Sequence, residues 1–561
     1  MRLDVELGAR IERAGGSSNL NAAMSELTPP ATTLDRQQAW LDTAGHRRWA
    51  VALVHALLIA AALFPLLVVD VPALVDYPNH LARAHILATA SDNPVLQERY
   101  VVAWKPVPNL AMDLFMVPLA SLMSSYTAGR LFIAVTLLSI VAGTLTLHRV
   151  LHGRVGLWPA AIYLFLYNHI LAWGFLNNLF GIGICLFALA GWLATERWPI
   201  WARLTAFTGI STILFFSHLF AFGAYGLTIG TYQLGRFLTR RSKTPRQAIH
   251  DLFAPAGQFV LPCVLWLISP GATGVIQGSS GFSSYGPWVS KLRALWSPAV
   301  FAGHGIDMAI FGFVCVAGLV LVASRSLRLA PAMRLPILVL VCAAFLMPAY
   351  LFSLTGVDFR LPLLIVCLVV AASRLETKSR LLLPVFAAVA LTLFAERIWS
   401  ITEMWRGYDR QFREFREASQ KIDPGARVLV GRFGQGTIMV PKRVYSHIAS
   451  LAVIDRSIFL PDLFTGPQQP LGVTPDYAAI DLPNGYDLRL EDLKAGADPT
   501  RAERFENTRL HRGAKAYFIH WPRNFDYLVM LDAVDPVNPF PDLLTPVHRG
   551  SFFVIYAVRL G

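Results

Sequence analysis

The residues best equipped for chemistry lie in one short stretch that directly follows the first long apolar run. Within sixteen residues it holds two carboxylates, two imidazoles and a guanidinium, namely Asp70, Asp76, His80, Arg83 and His85. Charged groups where a chain leaves a bilayer are costly and tend to be functional. A carboxylate in this position is suited to accept a proton as a general base. His80 lies one helical turn after Asp76, so the two could share a face of a helix, and we predict His80, Arg83 and Asp70 as substrate-binding residues.

A simpler interpretation covers part of this pattern. Asp is a favoured N-cap residue and Pro is tolerated in the first turn, so Asp76 would cap a helix that begins at Tyr77-Pro78. Capping explains the carboxylate at this position. It does not explain why His80 and Arg83 follow it.

Arg360 is a second candidate, in the segment Thr355-Gly-Val-Asp358-Phe-Arg360-Leu-Pro362. The apolar run after it is short, so the residues around 355–360 are needed to complete a crossing of about 30 Å. This places Arg360 near the head-group level, where its fork of donors suits a phosphate. The alternatives are an arginine that extends to the interface, or one neutralised by Asp358. We predict both residues as substrate-binding.

Two histidines occupy turns between apolar runs. His218 lies where one run ends and the next begins, and His304 closes a Gly/Ser/Pro-rich loop over 270–303 that suits a mobile lid. Either imidazole would serve as a substrate-binding residue or as an interfacial hydrogen-bonding group. No His-x-x-x-His pair or similar spacing marks a metal site. No cofactor is indicated, and a divalent ion held by loop carboxylates is left open without a supporting motif.

The composition indicates a membrane protein. Hydrophobic residues make up 55% of the 561 and charged residues only 15%, whereas soluble domains carry about a quarter charged residues. The net charge of +13 is spread over short loops, which argues against a nucleic-acid partner. All five cysteines fall in apolar segments, so no disulfide framework is expected. Walker, dinucleotide and Gly-x-Ser-x-Gly motifs are absent from the sequence, so nucleotide-driven chemistry is not indicated.

The hydropathy pattern predicts a polytopic α-helical membrane protein with about eleven transmembrane helices. The predicted spans are 50–69, 128–147, 156–172, 175–194, 203–219, 221–236, 252–269, 304–323, 335–353, 355–372 and 381–396. Lys and Arg concentrate in every second loop, which places the N-terminus in the cytoplasm and the chain after the last span outside.

Three regions follow from this pattern. Residues 1–48 are polar and are expected to form a disordered cytoplasmic tail. Residues 49–396 form the membrane domain, whose long first outer loop (70–127) holds an apolar segment expected to lie on the membrane surface. Residues 397–561 begin with a charged helical stretch and continue with short β-type runs at 427–431, 516–521, 527–531 and 552–558. They predict an extracytoplasmic α/β domain.

The order of these features resembles the GT-C class of integral-membrane glycosyltransferases, which includes the protein mannosyltransferases and the lipid A aminoarabinose transferase. The matching segments are Asp76-Tyr-Pro-Asn-His80-Leu-Ala-Arg83 after the first span, Trp104-Lys105-Pro-Val-Pro108, Tyr126-Thr-Ala-Gly-Arg130 and Asp358-Phe-Arg360-Leu-Pro362. The residue after Asp76 is Tyr77, where the family has Glu, which leaves metal use and the acceptor chemistry open.

The resemblance implies an enzyme that moves a sugar from a polyprenyl-phosphate donor to an acceptor hydroxyl at the outer face of the membrane. Asp76 would be the base, and Arg360 with Lys105 would offset charge on the departing phosphate. The partners would be the lipid-linked sugar, membrane lipids and an acceptor that the sequence does not identify. The basic inner loops and the lack of disulfides fit a bacterial inner membrane.

Two other functions compete with this one. A polytopic transporter or flippase for a lipid-linked or envelope substrate also needs many spans and buried charges. Its sites would lie near the bilayer midplane between broken helices, whereas the polar residues here gather at one face. A non-enzymatic envelope protein is the third possibility, for which eleven spans are excessive.

Overall fold

The computed structural model describes residues 33–239, 244, 252–270, 283–301, 305–351, 354–376, 379, 381–434, 443–482, 488–498, 517–533 and 536–559. The chain divides into two compact units, Met1–Leu58 and Ile59–Gly561. Residues 1–32 of the expected disordered tail lie outside the described residues. The helix that contains the first apolar run begins at Thr33, so it starts before the predicted boundary at residue 48.

Helices dominate the described residues up to residue 420. They are α1 (Thr33–Leu67), α2 (Tyr77–Thr89), α3 (Pro94–Arg99), α4 (Ala111–Met116), α5 (Ser125–His152), α6 (His169–Trp173), α7 (Leu176–Ala194), α8 (Ile200–Ser217), α9 (Leu219–Thr239), α10 (Val260–Ile268), α11 (Trp288–Trp296), α12 (Gly305–Ala323), α13 (Pro331–Leu346), α14 (Arg360–Ala372) and α15 (Leu382–Ser419). Short β-strands pair at the ends of some of them, β2 (Leu327–Leu329) with β5 (Ser373–Leu375) and β3 (Tyr350–Leu351) with β4 (Leu354–Thr355).

Six helices among the described residues are long and apolar enough to cross a membrane. They comprise the end of α1 from Arg48, together with α5, α7, α8, α12 and α15. Three shorter apolar segments, Ala254–Ile268, Pro331–Leu346 and Arg360–Ala372, coincide with other predicted spans. The polytopic helical class is therefore confirmed, and the count of eleven stays a prediction.

One predicted span, 156–172, is wrong as a regular α-helix. The structure forms a 3₁₀ helix over Trp158–Phe165, with Pro159 in its first turn, and then the five-residue α6. The Asn168 side chain separates the two because its oxygen accepts the Leu171 N–H at 3.1 Å as an N-cap. The segment is apolar as predicted, but the cap starts a new helix inside it.

The loop between α1 and α5 contains α2, α3, strand β1 (Tyr100–Val102) and α4. The apolar segment expected at the membrane surface is helical from Ala111 to Met116, continues as a 3₁₀ turn, and leaves Leu114 and Leu122 exposed. Strand β1 pairs antiparallel with β7 (Leu471–Val473). This loop and the C-terminal region are therefore built together.

The C-terminal region holds a five-stranded mixed sheet in the order β10-β11-β9-β6-β8. Its strands are β6 (Val428–Arg432), β8 (Leu488–Arg489), β9 (Tyr527–Leu531), β10 (Leu544–Arg549) and β11 (Phe553–Val558), and its helices are α16 (Ser450–Arg456), α17 (Leu490–Ala497) and α18 (Trp521–Asn524). β6 runs parallel to β8 and β9, and the other pairs are antiparallel. This mixture fits the predicted α/β character.

One predicted strand, 516–521, is wrong. Residue 516 lies outside the described residues, and Tyr517–His520 form turns that lead into α18. His520 has a φ of 59°, which no strand residue adopts, and Pro522 favours the first turn of a helix. The Trp521 indole donates to Leu493 O at 2.8 Å, so the aromatic residues here pack on α17.

Helix α15 joins the membrane domain to the C-terminal region without a break. It runs for 38 residues, so the predicted domain boundary at 396/397 falls inside it. Buried Arg397 donates to Asp307 at 2.9 Å and to Leu164 O at 3.0 Å, which ties α15 to α12 and to the 3₁₀ helix. Farther along, Asp409 accepts the backbone N–H groups of Asp70 and Val71 at 2.9 and 3.0 Å.

The predicted lid loop falls partly outside the described residues, which omit 271–282 and 302–304. The part that is described is more regular than expected, because Trp288–Trp296 is helical and Ser297–Ala299 continues it as a 3₁₀ turn. Pro287 precedes that helix at its N-cap, a position from which Pro leads into a first turn without cost.

Candidate active site

The backbone of Asp76 is held by the turn that follows α6. Val75 N–H donates to Ala172 O at 3.1 Å, and Asp76 N–H donates to Trp173 O at 3.0 Å. Gly174 closes this turn with a φ of +84°, and a Cβ there would lie 3.0 Å from Asp76 N. Only glycine combines that backbone conformation with so close an approach. The turn therefore fixes the carboxylate at the start of α2.

Asp76 occupies the N-cap position of α2 but makes no side-chain capping hydrogen bond. Capping therefore does not account for this carboxylate, which is available for another role. Burial raises the pKa of this carboxyl to about 6. Three nearby positive groups, His447, Arg360 and Arg443, limit that rise by favouring the ionised form.

His447 faces Asp76 from the C-terminal region, with Nε2 3.8 Å from Asp76 Oδ1. Its other nitrogen, Nδ1, lies 3.2 Å from the Asn79 side-chain nitrogen. The amide of Asn79 is oriented by two further bonds, because its oxygen accepts Phe464 N–H at 2.9 Å and its nitrogen donates to Asp462 O at 2.8 Å. The second amide hydrogen is then directed at Nδ1, so a neutral ring carries its proton on Nε2, toward Asp76.

His447 also lies beside a second carboxylate, since Nδ1 is 3.8 Å from Asp462 Oδ2. The ring is therefore flanked by acidic groups on both nitrogen sides. His80, one turn after Asp76 on α2, packs its ring 4.8 Å from Phe464, whose ring is 5.6 Å from His447. Burial and the charges of Arg83, His447 and His218 lower the pKa of His80, so this ring is neutral.

Arg360 begins α14 and is buried against His218. Its Nη1 lies 2.7 Å from His218 Nε2, and its guanidinium covers the Phe175 ring at 4.5 Å. His218 Nδ1 meanwhile lies 3.1 Å from the Phe220 N–H. A neutral imidazole has one acceptor nitrogen, so one of these two donors lacks an acceptor. An anionic oxygen placed between Arg360 and His218 would remove this mismatch.

A second guanidinium, that of Arg443, lies beside the aromatic pair of Trp173 and Phe175. Arg443 lies 5.5 Å from the Trp173 ring, Trp173 stacks on Phe175 at 6.0 Å, and Arg360 covers Phe175. Two cations thus flank a stacked aromatic pair next to Asp76. Two guanidinium groups near one carboxylate suit a ligand that carries an anionic group.

Asp358 lies next to this cluster, and it pairs with Lys291, so the alternative in which it neutralises Arg360 does not hold. Its Oδ2 accepts a hydrogen bond from Lys291 Nζ at 2.9 Å, and Lys291 also bonds Met347 O. The pair is buried, with side chains 11% and 1% exposed. Asp358 therefore anchors α11 to the start of α14.

Arg83 is fully buried and paired across the fold. Its guanidinium forms a two-point pair with Asp113, at 3.1 and 2.5 Å, and bonds Gln469 Oε1 at 2.6 Å. These contacts occupy donors on all three of its nitrogens and tie α2 to α4 and to the C-terminal region. They give Arg83 a structural role, and its role in substrate binding stays a prediction.

The structure brings together Asp76, His80, His218 and Arg360 among the predicted site residues. Asp70 is exposed, and its carboxylate lies 3.9 Å from Arg130. Lys105 is half-buried and, among the described residues, has no ion pair. His304 lies outside the described residues.

The sequence analysis did not predict His447, Arg443 and Trp173 as site residues, nor the role of Asn79 in orienting His447. Asn79 stands inside the quoted motif, and His447 lies in a distinctive segment after Tyr445. No local pattern shows that the segment around residue 447 folds back onto residue 76. That contact is a property of the tertiary fold.

The described residues contain no group of three or more His, Cys, Asp or Glu side chains placed to hold a metal ion. Asp76, His447 and Asp462 come nearest to one another, but the imidazole lies between the two carboxylates. Metal use stays a prediction to be tested.

The fold is similar to that of ArnT from Cupriavidus metallidurans, an aminoarabinose transferase of the GT-C class. The chain matches the crystal structure of ArnT bound to undecaprenyl phosphate with a TM-score of 0.51 and 13% sequence identity, over 91% of this chain and 98% of that one. It has the ArnT fold. The apo state of ArnT matches with the same TM-score and coverage at 12% identity. No protein-family model and no curated protein matches the sequence.

The ArnT fold confirms the resemblance drawn from the motif order as one of architecture. The chain covers nearly all of the solved structure, so the likeness includes the membrane helices and the C-terminal region.

Proposed function

We propose that the chain is a membrane glycosyltransferase that moves a sugar from a polyprenyl-phosphate donor to an acceptor hydroxyl. The observation that carries this proposal is the placement of Asp76 within reach of two buried or half-buried arginines beside an aromatic pair. A base and an anion site at the end of membrane helices are what this reaction needs. The ArnT structure that binds undecaprenyl phosphate supports the same choice of donor.

The chemistry assigns Asp76 as the general base. The acceptor oxygen attacks the anomeric carbon, its proton passes to Asp76 Oδ, and the bond from the anomeric carbon to the phosphate oxygen breaks with its electron pair. A pKa of about 6 makes this carboxylate mostly ionised at neutral pH and still basic enough to take a proton. A positioned base of this kind contributes about 10²–10⁴-fold in rate.

Arg360 and Arg443 bind the leaving phosphate and stabilise its charge. Negative charge grows on that phosphate as the bond breaks, and fixed cations in a site of low water content stabilise it strongly. Arg360 has the geometry for this task, since an anionic oxygen resolves its mismatch with His218. The stacked Trp173 and Phe175 would guide the apolar part of the donor toward the bilayer.

We further propose that the site lies at the outer face of a bacterial inner membrane. The distribution of Lys and Arg over the loops supports a cytoplasmic N-terminus and a periplasmic C-terminal region. Arg360, Lys291 and Arg293 are the only basic residues in the predicted short outer loops. The acceptor stays unassigned.

Native mass spectrometry tests the donor. Wild-type protein in mild detergent, incubated with undecaprenyl phosphate, is expected to retain one lipid per chain. Arg360→Ala is expected to bind about 10–100-fold more weakly, because a charged hydrogen bond contributes about 1.5–3 kcal/mol. Arg406→Ala, which removes an exposed arginine paired with Glu403 on α15, is the matched control and should bind like wild type. Equal binding by all three forms would contradict the proposal. Movement of the lipid across a bilayer without turnover would favour the flippase.

A further inference from the structure

Two adjacent asparagines at the start of α7, Asn177 and Asn178, differ in their hydrogen bonding. Asn177 is fully used, because its nitrogen donates to Asn109 O at 2.8 Å and its oxygen accepts Met112 N–H at 2.8 Å. Asn178 has no exposed surface, yet neither its amide nitrogen nor its amide oxygen has a hydrogen-bond partner among the described residues. Burying an amide without partners costs about 1–3 kcal/mol.

The place of Asn178 on α7 puts it at the candidate site. Phe175, Asn178 and Gly181 follow one another at a spacing of three, so they are neighbours on the helix surface. Phe175 lies under Arg360, and a Cβ at Gly181 would be 3.9 Å from the Cβ of His218. Helical side chains tilt toward the N-terminus, which directs the Asn178 amide toward the turn that holds Asp76.

Two further buried polar atoms in the same cluster also have no hydrogen-bond partner in the described part of the chain. They are Nδ1 of His80 and Nε of Arg360, in residues that are 8% and 9% exposed. Buried polar atoms are normally satisfied, so unsatisfied atoms on residues of this cluster indicate a polar ligand there. Arg360 already accounts for an anion, but Asn178 and His80 do not.

The chemistry of the amide defines the class of that ligand. Asn offers a donor and an acceptor together. A phosphate or carboxylate would satisfy only the nitrogen, and an ammonium group only the oxygen. A hydroxyl both donates and accepts, and neighbouring hydroxyls on one ring would reach both amide atoms and an imidazole nitrogen.

We infer that Asn178 and His80 form a subsite that binds hydroxyl groups of the donor's sugar, next to the phosphate position at Arg360. This inference rests on the proposed function, because the sugar reaches the subsite as part of the lipid-linked donor. It makes Asn178 a specificity-determining residue that distinguishes a sugar-bearing lipid phosphate from a bare one.

The test compares lipid binding with and without a sugar. Undecaprenyl phosphate and its glucosyl, galactosyl and arabinosyl derivatives are titrated against wild type and Asn178→Leu in detergent, with bound lipid read by native mass spectrometry. Wild type is expected to prefer at least one glycosylated lipid by about 10-fold, the value of two ordinary hydrogen bonds. Asn178→Leu is expected to lose that preference while its affinity for undecaprenyl phosphate stays within about 2-fold.

Thermal unfolding separates this role from a packing defect. Asn178→Leu replaces an unsatisfied amide with an apolar side chain of similar size, so its melting temperature should equal or exceed that of wild type. Asn178→Ala, which introduces no clash, covers the case in which leucine does not fit. A variant that melts like wild type and keeps the sugar preference overturns the inference.

The remaining outcomes are equally decisive. A wild type that binds all four lipids alike also overturns the subsite, while leaving the lipid-phosphate site intact. If no lipid binds to wild type, the proposed function fails, and the subsite proposal fails because it depends on that function. Asn177→Ala should instead lower the melting temperature, because it removes a satisfied anchor of α4.

Discussion

His447 Nε2 lies 3.8 Å from Asp76 Oδ1, although the two residues lie far apart in the sequence. Asn79 orients the imidazole so that the proton of the neutral ring points at the carboxylate. The C-terminal region therefore contributes directly to the electrostatics of the candidate base. Four predictions follow from this relationship and from the contacts around it.

Replacing Asp76 by Asn removes the base with little change in shape. Turnover of a lipid-linked sugar should fall by about 10²–10⁴-fold, since the amide cannot accept the acceptor's proton. Binding of undecaprenyl phosphate should change by less than about 3-fold, because Arg360 remains. Single-turnover kinetics and native mass spectrometry measure the two effects. A variant with near-normal turnover would remove Asp76 from the mechanism.

The rate should depend on pH through Asp76. With a pKa of about 6, the active carboxylate form is lost as the pH falls through that value, so kcat/KM should decline on the acid side near pH 6. His447, Arg360 and Arg443 are the charged groups that lower this pKa. His447→Gln should therefore move the acid limb to higher pH.

His548→Gln is the control for that experiment. His548 lies on β10 beside Lys421, away from the candidate site, and should leave the pH profile unchanged. An acid limb that stays in place in His447→Gln would mean that the imidazole does not influence the base.

Asn79→Asp should change which ring nitrogen of His447 carries the proton. A carboxylate at this position accepts a hydrogen bond where the amide donated one, so Nδ1 would become protonated and Nε2 would lose its hydrogen toward Asp76. Turnover should fall about 10-fold or more, with an acid limb at higher pH. ¹⁵N NMR of histidine-labelled protein reports the tautomer directly. An unchanged His447 signal would show that Asn79 does not set it.

Arg83→Met should damage stability rather than chemistry. Removing one partner of a buried ion pair costs about 3–5 kcal/mol, and Asp113 would be left buried without its partner. The melting temperature should fall clearly, while kcat per folded molecule should change little. Arg406→Met on exposed α15 is the control, because surface ion pairs contribute at most about 1 kcal/mol. A normal melting temperature with lost turnover would return Arg83 to the active site.

The sequence was sufficient for features that depend on local pattern. The apolar runs marked the membrane helices, the charge after the first of them marked Asp76, and the short polar lead into α14 marked Arg360. These signals depend on hydropathy and on positions close together in the chain.

Contacts between side chains that lie far apart in the sequence could not be predicted in the same way. Arg83 was expected to serve the substrate, because nothing nearby in the sequence indicates that Asp113 will pair with it. Neutralisation of Arg360 by Asp358 was one alternative from the sequence, but Lys291 on another helix pairs with that carboxylate. Likewise, the run at 156–172 looked continuous because hydropathy does not register how Asn168 caps a new helix.

The unbroken helix α15 has a mechanical consequence for the site. At about 1.5 Å per residue it is about 57 Å long, nearly twice the hydrocarbon thickness of about 30 Å. The helix therefore extends beyond the membrane without a break. Inserting one residue in its polar half would turn everything beyond by about 100°. Such an insertion near residue 400 should uncouple His447 from Asp76 and abolish turnover. The orientation of the C-terminal region therefore depends on the number of residues in α15, because each residue adds about 100° of rotation.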